Sequence, residues 1–256
     1  MGSLNEREIG AALERLGLRR RHHVLLHSSL SSLGHVERGS AAVVQALLDV
    51  VGDDGTVLAP TLTGNEHIGP DTTVRFDVAR SAAWTGRIAE TVRSWPAAVR
   101  SVHPTHSVAA VGGAAERLTA GHEDCVTPCG AGSPYARLAA DPDGVILLLG
   151  CDHESNTTLH HVEELAGVPY HLQPSPVPAV IETEQGTLNR EYWVHRYGTP
   201  RRFSAIEPLL LQRGLQRTDV VGQATARLVP AGALVSFALE VLRAAPEFFV
   251  ADGAQG

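Results

Sequence analysis

Short apolar runs alternate along the chain with stretches of helical spacing. His23-Val24-Leu25-Leu26-His27 reads as a buried strand, and residues 41–51 as the amphipathic helix that follows it, so the two make a βα unit. Thr56-Val57-Leu58-Ala59, closed by Pro60, is a second strand. Residues 81–95 keep helical spacing up to Pro96, which cannot continue a helix. Residues 107–111 form a third strand. Gly144-Val145-Ile146-Leu147-Leu148-Leu149-Gly150 is the most apolar run and predicts a central strand buried on both faces, with a helix over residues 157–165 after it. From about residue 170 the pattern changes: Val177, Val180 and Ile181, then residues 188–195, alternate as antiparallel strands separated at Gln185-Gly186. Helices over residues 204–213 and 231–244 close the chain around a short strand pair. The expectation is an α/β chain, one domain over residues 1–256, with a central mixed sheet covered by helices and an antiparallel extension in the C-terminal third.

In such sheets ligands collect beyond the carboxyl ends of the strands. The ends to watch are His27-Ser28-Ser29, Pro60-Thr61-Leu62-Thr63 and Cys151-Asp152-His153-Glu154-Ser155-Asn156-Thr157. With 256 residues, 43% of them hydrophobic, the chain can bury a large core. No apolar run approaches the roughly 18 residues that span a bilayer, and the polar start is unlike a secretory signal, so a cytoplasmic chain with no membrane partner is expected. Twenty-eight acids against 21 bases give a net charge of -7, which disfavours a nucleic-acid partner and suits a polycationic ligand. Every base is Arg; the absence of Lys removes Schiff-base chemistry and the P-loop cation. Cys125, Cys129 and Cys151 lack the spacing of a disulfide framework or a structural zinc site.

Candidate chemistry concentrates between Asp152 and Glu164, just past the most buried strand. On a helix, His160 has Glu163 at i+3 and Glu164 at i+4, and either carboxylate can hold the imidazole in one tautomer and leave the other nitrogen as a base. Of the adjacent pair His160 and His161, one faces a site and the other packs. Cys151, His153, His160 and Glu163 are all possible metal ligands, but their spacing matches no zinc signature and no metal is expected. Cys151 at the end of a buried strand reads as a small hydrophobe more than as a nucleophile. The turn Ser28-Ser29-Leu30-Ser31-Ser32-Leu33-Gly34 offers hydroxyls and amides suited to a phosphate or a pantetheine chain, and equally to capping the next helix.

These segments together resemble the aminoglycoside 3-N-acetyltransferase family, the antibiotic N-acetyltransferases that use acetyl-coenzyme A. The resemblance rests on residues 27–34; on Phe76-Asp77 through Gly86-Arg87-Ile88-Ala89-Glu90; on Arg100-Ser101-Val102-His103-Pro104-Thr105-His106-Ser107; on Leu147 to Gly150 with residues 156–165; and, more weakly, on Gly130-Ala131-Gly132-Ser133-Pro134. It implies a fold distinct from that of the GCN5-type acetyltransferases, with coenzyme A beside the serine turn. Carried onto this chain, Ser28, Ser29, Leu30 and Ser31 line the coenzyme site with Thr105 and Ser107 nearby. His160 is the catalytic histidine, Glu163 its orienter and Thr157 a hydroxyl at the acetyl end. Cys129 stands where the family commonly has Tyr, Cys151-Asp152-His153-Glu154 departs from a more usual Gly-His-Asp pattern, and residues 65–74 form a shorter segment than in clinical resistance enzymes.

The reaction implied is direct transfer of an acetyl group from acetyl-coenzyme A to an amine of an aminoglycoside, the 3-amine by family analogy. Glu66, Asp71, Asp152 and Glu154 stand in loops where they can attract the cationic antibiotic. The chain is expected to act as a monomer or homodimer. Two other classes compete: a cysteine- or metal-dependent amide hydrolase using Cys151 with His153 or His160, and a non-catalytic binder of coenzyme A or antibiotic.

Overall fold

The computed structural model describes residues 3–251. The chain opens with helix α1 (Glu6–Leu16), which is not among the expected elements although Ile9, Ala12, Leu13 and Leu16 recur at helical spacing and are buried; it is fixed by a capping box in which the Asn5 side chain and the Glu8 carboxylate exchange bonds with each other's backbone amides. Strand β1 (His23–Ser28), helix α2 (Ser40–Val51) and strand β2 (Thr56–Pro60) follow as the sequence predicts. Then come β3 (Val74–Asp77), α3 (Arg87–Arg93), β4 (Val99–Arg100), β5 (Val108–Gly112), α4 (Ala115–Thr119), α5 (Pro134–Ala140) and β6 (Gly144–Leu149). The last part holds α6 (Thr158–Ala166), β7 (Val177–Thr183), β8 (Gly186–Tyr192), α7 (Glu207–Gln212), β9 (Arg217–Val221), β10 (Ala224–Pro230) and α8 (Ala231–Ala244).

Seven strands form a mixed sheet in the order β4-β5-β2-β1-β6-β10-β9. Its centre is parallel, β1 pairing with β2 and β6, and both flanks are antiparallel. Every residue of β2 and β6 is buried, as expected of strands covered on both faces. Alternation along β1 divides the core: Val24 and Leu26 pack with α1, α2 and α3, whereas Leu25 turns to the other face against Leu138, Leu159 and Leu234. The hairpin β7–β8 forms the expected antiparallel extension, and β3 joins it in parallel to make a separate three-stranded sheet with its own core around Phe76, Ile181 and Tyr192.

Two helices are shorter than their spacing predicts. The expected helix over 81–95 exists only as α3, because Gly86 is held at φ 105° and the residues before it are tied to the sheet, Thr85 Oγ1 donating to the Pro60 carbonyl and Trp84 Nε1 to that of Gly64. The one over 204–213 divides into a 3-10 turn and α7, where Pro208 occupies the first turn. The fold brings the ends of β1, β2 and β6 to one edge, and the candidate residues gather there.

Candidate active site

Beyond β6 the chain turns at Gly150, with φ 74°; a Cβ there would lie 2.8 Å from the Ser32 Cβ and 3.1 Å from the Ser29 carbonyl, so only glycine lets β6 leave the sheet against the serine turn. A 3-10 turn follows, with Asp152 accepting from the Glu154 amide at 3.0 Å. His153 is buried between Gln216 Oε1, 2.8 Å from its Nε2, and the Asn156 amide, 3.1 Å from its Nδ1. Asn156 Oδ1 accepts from the Thr158 amide at 3.2 Å and so starts α6.

Adjacent histidines on α6 point about 100° apart, and the structure gives them different jobs. His161 is buried and bonds the Cys129 carbonyl through Nδ1 at 2.6 Å, a packing role. His160 lines an open cleft and places Nδ1 2.8 Å from Glu163 Oε2. Of the two carboxylates left open by helical spacing, Glu163 takes the imidazole, while Glu164 accepts from the Cys129 amide at 2.8 Å.

Behind His160 lies a buried seam that helical spacing did not reveal. His171 Nδ1 pairs with the same Glu163 oxygen at 2.8 Å, and its Nε2 lies 3.6 Å from Glu164 Oε1. Arg201 Nε donates to Glu163 Oε1 at 2.7 Å. His195 packs its ring 4.4 Å from that of His160, 4.2 Å from that of His171 and 4.1 Å from that of His106. His103-Pro104-Thr105-His106, polar where a core strand begins, was the one sequence hint of this seam; His171, His195 and Arg201 sit in loops without periodic spacing.

The charges sort themselves by environment. Burial lowers the His160 pKa, and the bond to Glu163 only partly restores it, so the ring is neutral near pH 7. Burial alone raises the Glu163 carboxyl, but hydrogen bonds from His160 and His171 outweigh it and hold the group well below the ordinary carboxylate range. His171 is raised instead: burial opposes its charge, and the pull of the Glu163 and Glu164 carboxylates beside it more than compensates. An anionic Glu163 accepting Nδ1–H from His160 leaves the imidazole lone pair on Nε2.

The His160 cleft is lined by Leu26, His27, Ser28, Leu62, Trp84, Thr85, Glu154 and Thr157, among others. Ser28 also lines a second groove with Ser29, Leu30, Ser31 and Arg87, and Gly86 and Arg87 carry it on to Glu90 and Thr91. The cleft and the serine groove therefore form one trough. The serine turn closes on itself, Ser32 Oγ donating to Ser29 Oγ at 2.8 Å with Ser31 Oγ 3.3 Å from Ser29 Oγ. Thr157 is buried at the cleft, as the sequence placed it.

Two expectations for the coenzyme side change. Thr105 and Ser107 do not line the trough: Ser107 Oγ is buried, donating to the Thr61 carbonyl at 2.8 Å and accepting from Arg100 Nε at 3.0 Å, and Thr105 Oγ1 lies 3.0 Å from His106 Nδ1. Both serve the frame because the backbone before β5 runs alongside the end of β2, the Thr61 and Thr63 amides donating to the Ser107 and Thr105 carbonyls, rather than beside the serine turn. Among the four loop acids, Glu154 alone lines the cleft, where its Oε1 also accepts from the Ser204 amide at 2.8 Å. Asp152 is a turn cap, Glu66 is exposed beside His67, and Asp71 is exposed away from the cleft lining. Trp84, 61% exposed and held at its indole nitrogen, is a cleft residue that the expected helix had concealed. Cys151 is half-buried, and burial pushes its thiol up to about 11, against a thiolate nucleophile.

An α/β sheet with a histidine–carboxylate pair where a cleft meets a serine-lined groove is an arrangement suited to group transfer between two substrates. Residues 25–243 match the model of the aminoglycoside 3-N-acetyltransferase family, and the chain belongs to that family as an aminoglycoside N-acetyltransferase. Aminoglycoside N(3)-acetyltransferase IX of Micromonospora chalcea is 33% identical, with 95% of each chain covered. Aminoglycoside N(3)-acetyltransferase VII of Streptomyces paromomycinus is 34% identical over 92% of this chain and 90% of its own. Among solved structures, AAC-IIIb in a binary complex with CoASH superposes with a TM-score of 0.84 at 29% identity, covering 95% of this chain and 97% of that one. A mutant of aminoglycoside acetyltransferase AAC(3)-IVa in complex with a gentamicin does so with a TM-score of 0.83 at 30% identity, covering 98% and 93%. Among the described residues no helix is long and apolar enough to cross a membrane.

Proposed function

We propose that the chain, acting as one catalytic domain in the cytoplasm where acetyl-coenzyme A is made, transfers the acetyl group of that donor to the 3-amine of an aminoglycoside, with His160 as general base. The observation that carries this reading is the 2.8 Å bond from His160 Nδ1 to Glu163 at the one point where the serine trough opens into an acid-bearing cleft.

The pantetheine arm lies along Ser28, Ser29, Leu30 and Ser31, so the thioester reaches the cleft beside Thr157. An ammonium has no lone pair and cannot attack a thioester, so the amine must lose a proton. His160 Nε2, kept neutral by burial, accepts it as the nitrogen adds to the acetyl carbonyl, a role worth on the order of 10² to 10⁴ in rate. The imidazolium then formed faces the Glu163 anion, whose second oxygen is already balanced by Arg201. The Thr157 hydroxyl stabilises the oxyanion. Collapse breaks the carbon–sulfur bond; the coenzyme thiolate leaves and takes the second proton of the attacking nitrogen to become the free thiol, and the His160 imidazolium releases its proton to water. Holding both substrates in one trough supplies the remaining rate by positioning. Glu154 meets an ammonium of the acceptor, and Trp84 offers an apolar face to its sugar rings.

The test is a product assay: acetyl-coenzyme A with gentamicin and apramycin as acceptors, coenzyme release followed over time and the acetylated nitrogen mapped by NMR. Release dependent on the antibiotic, with acetylation at the 3-amine, is the expected result. Hydrolysis without acceptor acetylation would return the assignment to a hydrolase.

A further inference from the structure

His160 has two buried neighbours, His171 and His195, each with a ring nitrogen close to one of its own. One nitrogen of each of His160, His171 and His195 falls in a set whose members all lie within 4.8 Å of one another. A tetrahedral zinc site with Zn–N distances of about 2.1 Å needs its nitrogens about 3.4 Å apart, so shifts of under about 1 Å per ring close the set around an ion. A second observation points the same way: His195 Nε2 is buried without a hydrogen-bond partner, its nearest anion being Glu164 Oε1 at 3.8 Å. A buried imidazole nitrogen left unpaired is costly unless something else takes it up. Glu163 and Glu164 supply two carboxylates within 2.8 to 3.8 Å of the three rings, an anionic surround that offsets a dication even with Arg201 present. His160 opens the cluster to the cleft, its side chain 24% exposed, while the other two rings are closed off.

We propose that a divalent transition-metal ion, Zn²⁺ foremost, binds where His160, His171 and His195 converge and switches acetyl transfer off. Imidazole is the ligand such ions favour, and three of them leave one position of a tetrahedral set for a carboxylate oxygen or a water. The inhibition rests on the reading of His160 as the base. A neutral imidazole has one lone pair and one N–H. If the ion takes Nε2, the lone pair is used; if it takes Nδ1, the proton sits on Nε2. In either case no basic nitrogen faces the amine.

The experiment uses the full chain, stripped with chelator and dialysed against ZnCl₂, with bound metal measured by elemental analysis and acetyl transfer followed by mass spectrometry, since a thiol dye and free coenzyme both compete for zinc. One ion per chain is expected, with turnover lost in proportion to occupancy and restored by EDTA. His195→Phe keeps the ring volume and removes a ligand; it should lose the ion and transfer acetyl groups at a rate that zinc no longer affects. Cys129→Ala should still bind, which separates this site from the buried trio of His106, Cys129 and His195. Should His195→Phe not fold, Co²⁺ substitution of the unmodified chain decides the matter: nitrogen and oxygen ligation gives visible bands alone, whereas a thiolate charge-transfer band would place the ion on Cys129 and overturn the proposal. Absence of a bound ion overturns the site and leaves the His160→Ala test of the base untouched. Zinc lost on His195→Phe but without effect on turnover overturns the switch and the base assignment together.

Discussion

The two sides of His160 are built on opposite plans. On the donor side the trough uses neighbours in sequence: Ser28 to Ser31 leave one strand and line it with hydroxyls that bond one another. Behind the imidazole, the seam draws Glu163 and Glu164 from α6, His171 from the loop after it, His195 from beyond β8, Arg201 from before α7 and His106 from before β5. The trough is partly open to water, where a lost hydrogen bond is replaced by solvent. The seam is closed: Glu163 and His171 are essentially inaccessible, and a charge left there without its partner keeps its full desolvation cost. On the proposed reading, a donor is met by a local turn, whereas tuning a proton acceptor needs a low-dielectric set that only the tertiary fold assembles.

The sharpest way to separate the two plans is to remove the base. His160→Ala should lower turnover by about 10² to 10⁴ while leaving coenzyme affinity close to that of the parent, because the ring touches the cleft and not the serine groove. Steady-state kinetics with a calorimetric titration of coenzyme A checks both halves; full turnover would sink the mechanism. Glu163→Gln keeps the shape and removes the charge. Turnover against pH should rise as His160 deprotonates, in a range already below 6.5, and in the variant that limb should move further down, since the imidazolium loses its anionic partner. Glu163→Ala should also cost about 3–5 kcal/mol of stability by stranding Arg201 and His171, read as a denaturant midpoint.

Acid should weaken the fold through its buried histidines, in the seam and beyond it. Burial holds His27 down to about 3 and His122 to about 4, and keeps His103, His106 and His195 well below 6.5. Below pH 6.5 the unfolded chain takes up protons that these rings refuse when folded, so stability is fully present above 6.5 and falls as the pH drops, by roughly 1.4 kcal/mol per such ring for each pH unit. His171 runs the other way: its raised pKa favours folding below 6.5 and loses that contribution as the pH rises through the folded value, a single opposing group. Melting temperatures from pH 7.5 to 5.5 should therefore decline steadily, and a flat curve would contradict the neutral, buried histidines.

The same contrast explains what could be read in the sequence. The parallel core was legible because β1, β2 and β6 are buried on both faces and so carry unbroken apolar runs. That His160 has a carboxylate partner on its own helix was legible because i,i+3 and i,i+4 spacings are local, though spacing alone left Glu163 and Glu164 both open. β3 was not, since Val74 to Asp77 is only 4 residues long and pairs with β7 about a hundred positions later. Nor were Arg201, His171 and His195, whose loops carry no period and whose meeting point exists only once the small sheet has docked. Thr105 and Ser107 were placed near the coenzyme by the family resemblance; here Ser107 is consumed by a buried strut to Arg100 and Thr61, and Thr105 pairs with His106.

On the donor side the effects should be smaller and confined to one substrate. Ser29 and Ser31 line the groove with side chains that bond mainly each other and Ser32, so Ser29→Leu with Ser31→Leu fills the groove without stranding a buried charge. The apparent KM for acetyl-coenzyme A should rise by about tenfold, the value of about 1.4 kcal/mol of lost contact, with the acceptor KM and the pH limb unmoved. An equal rise for both substrates would show the turn to be a cap and nothing more.

The smallest effect should fall on the acceptor side, at Glu154. Its carboxylate lines the cleft but is exposed and already accepts from the Ser204 amide, so its pull on a polycation acts through water. An exposed pair of this kind contributes about 0.2–1 kcal/mol. Glu154→Gln retains an oxygen for the Ser204 amide, and should raise the acceptor KM by a factor of about 1.4 to 5 with turnover and the coenzyme KM unchanged. Exposed attraction is screened beyond about 8 to 10 Å at physiological ionic strength, so the parent's acceptor KM should climb with salt and the variant's should climb less. Measuring both KM values from low to high salt decides it: parallel slopes in parent and variant would mean that Glu154 does not face the antibiotic, and that the acidic balance of the chain as a whole, not this carboxylate, draws the cation in.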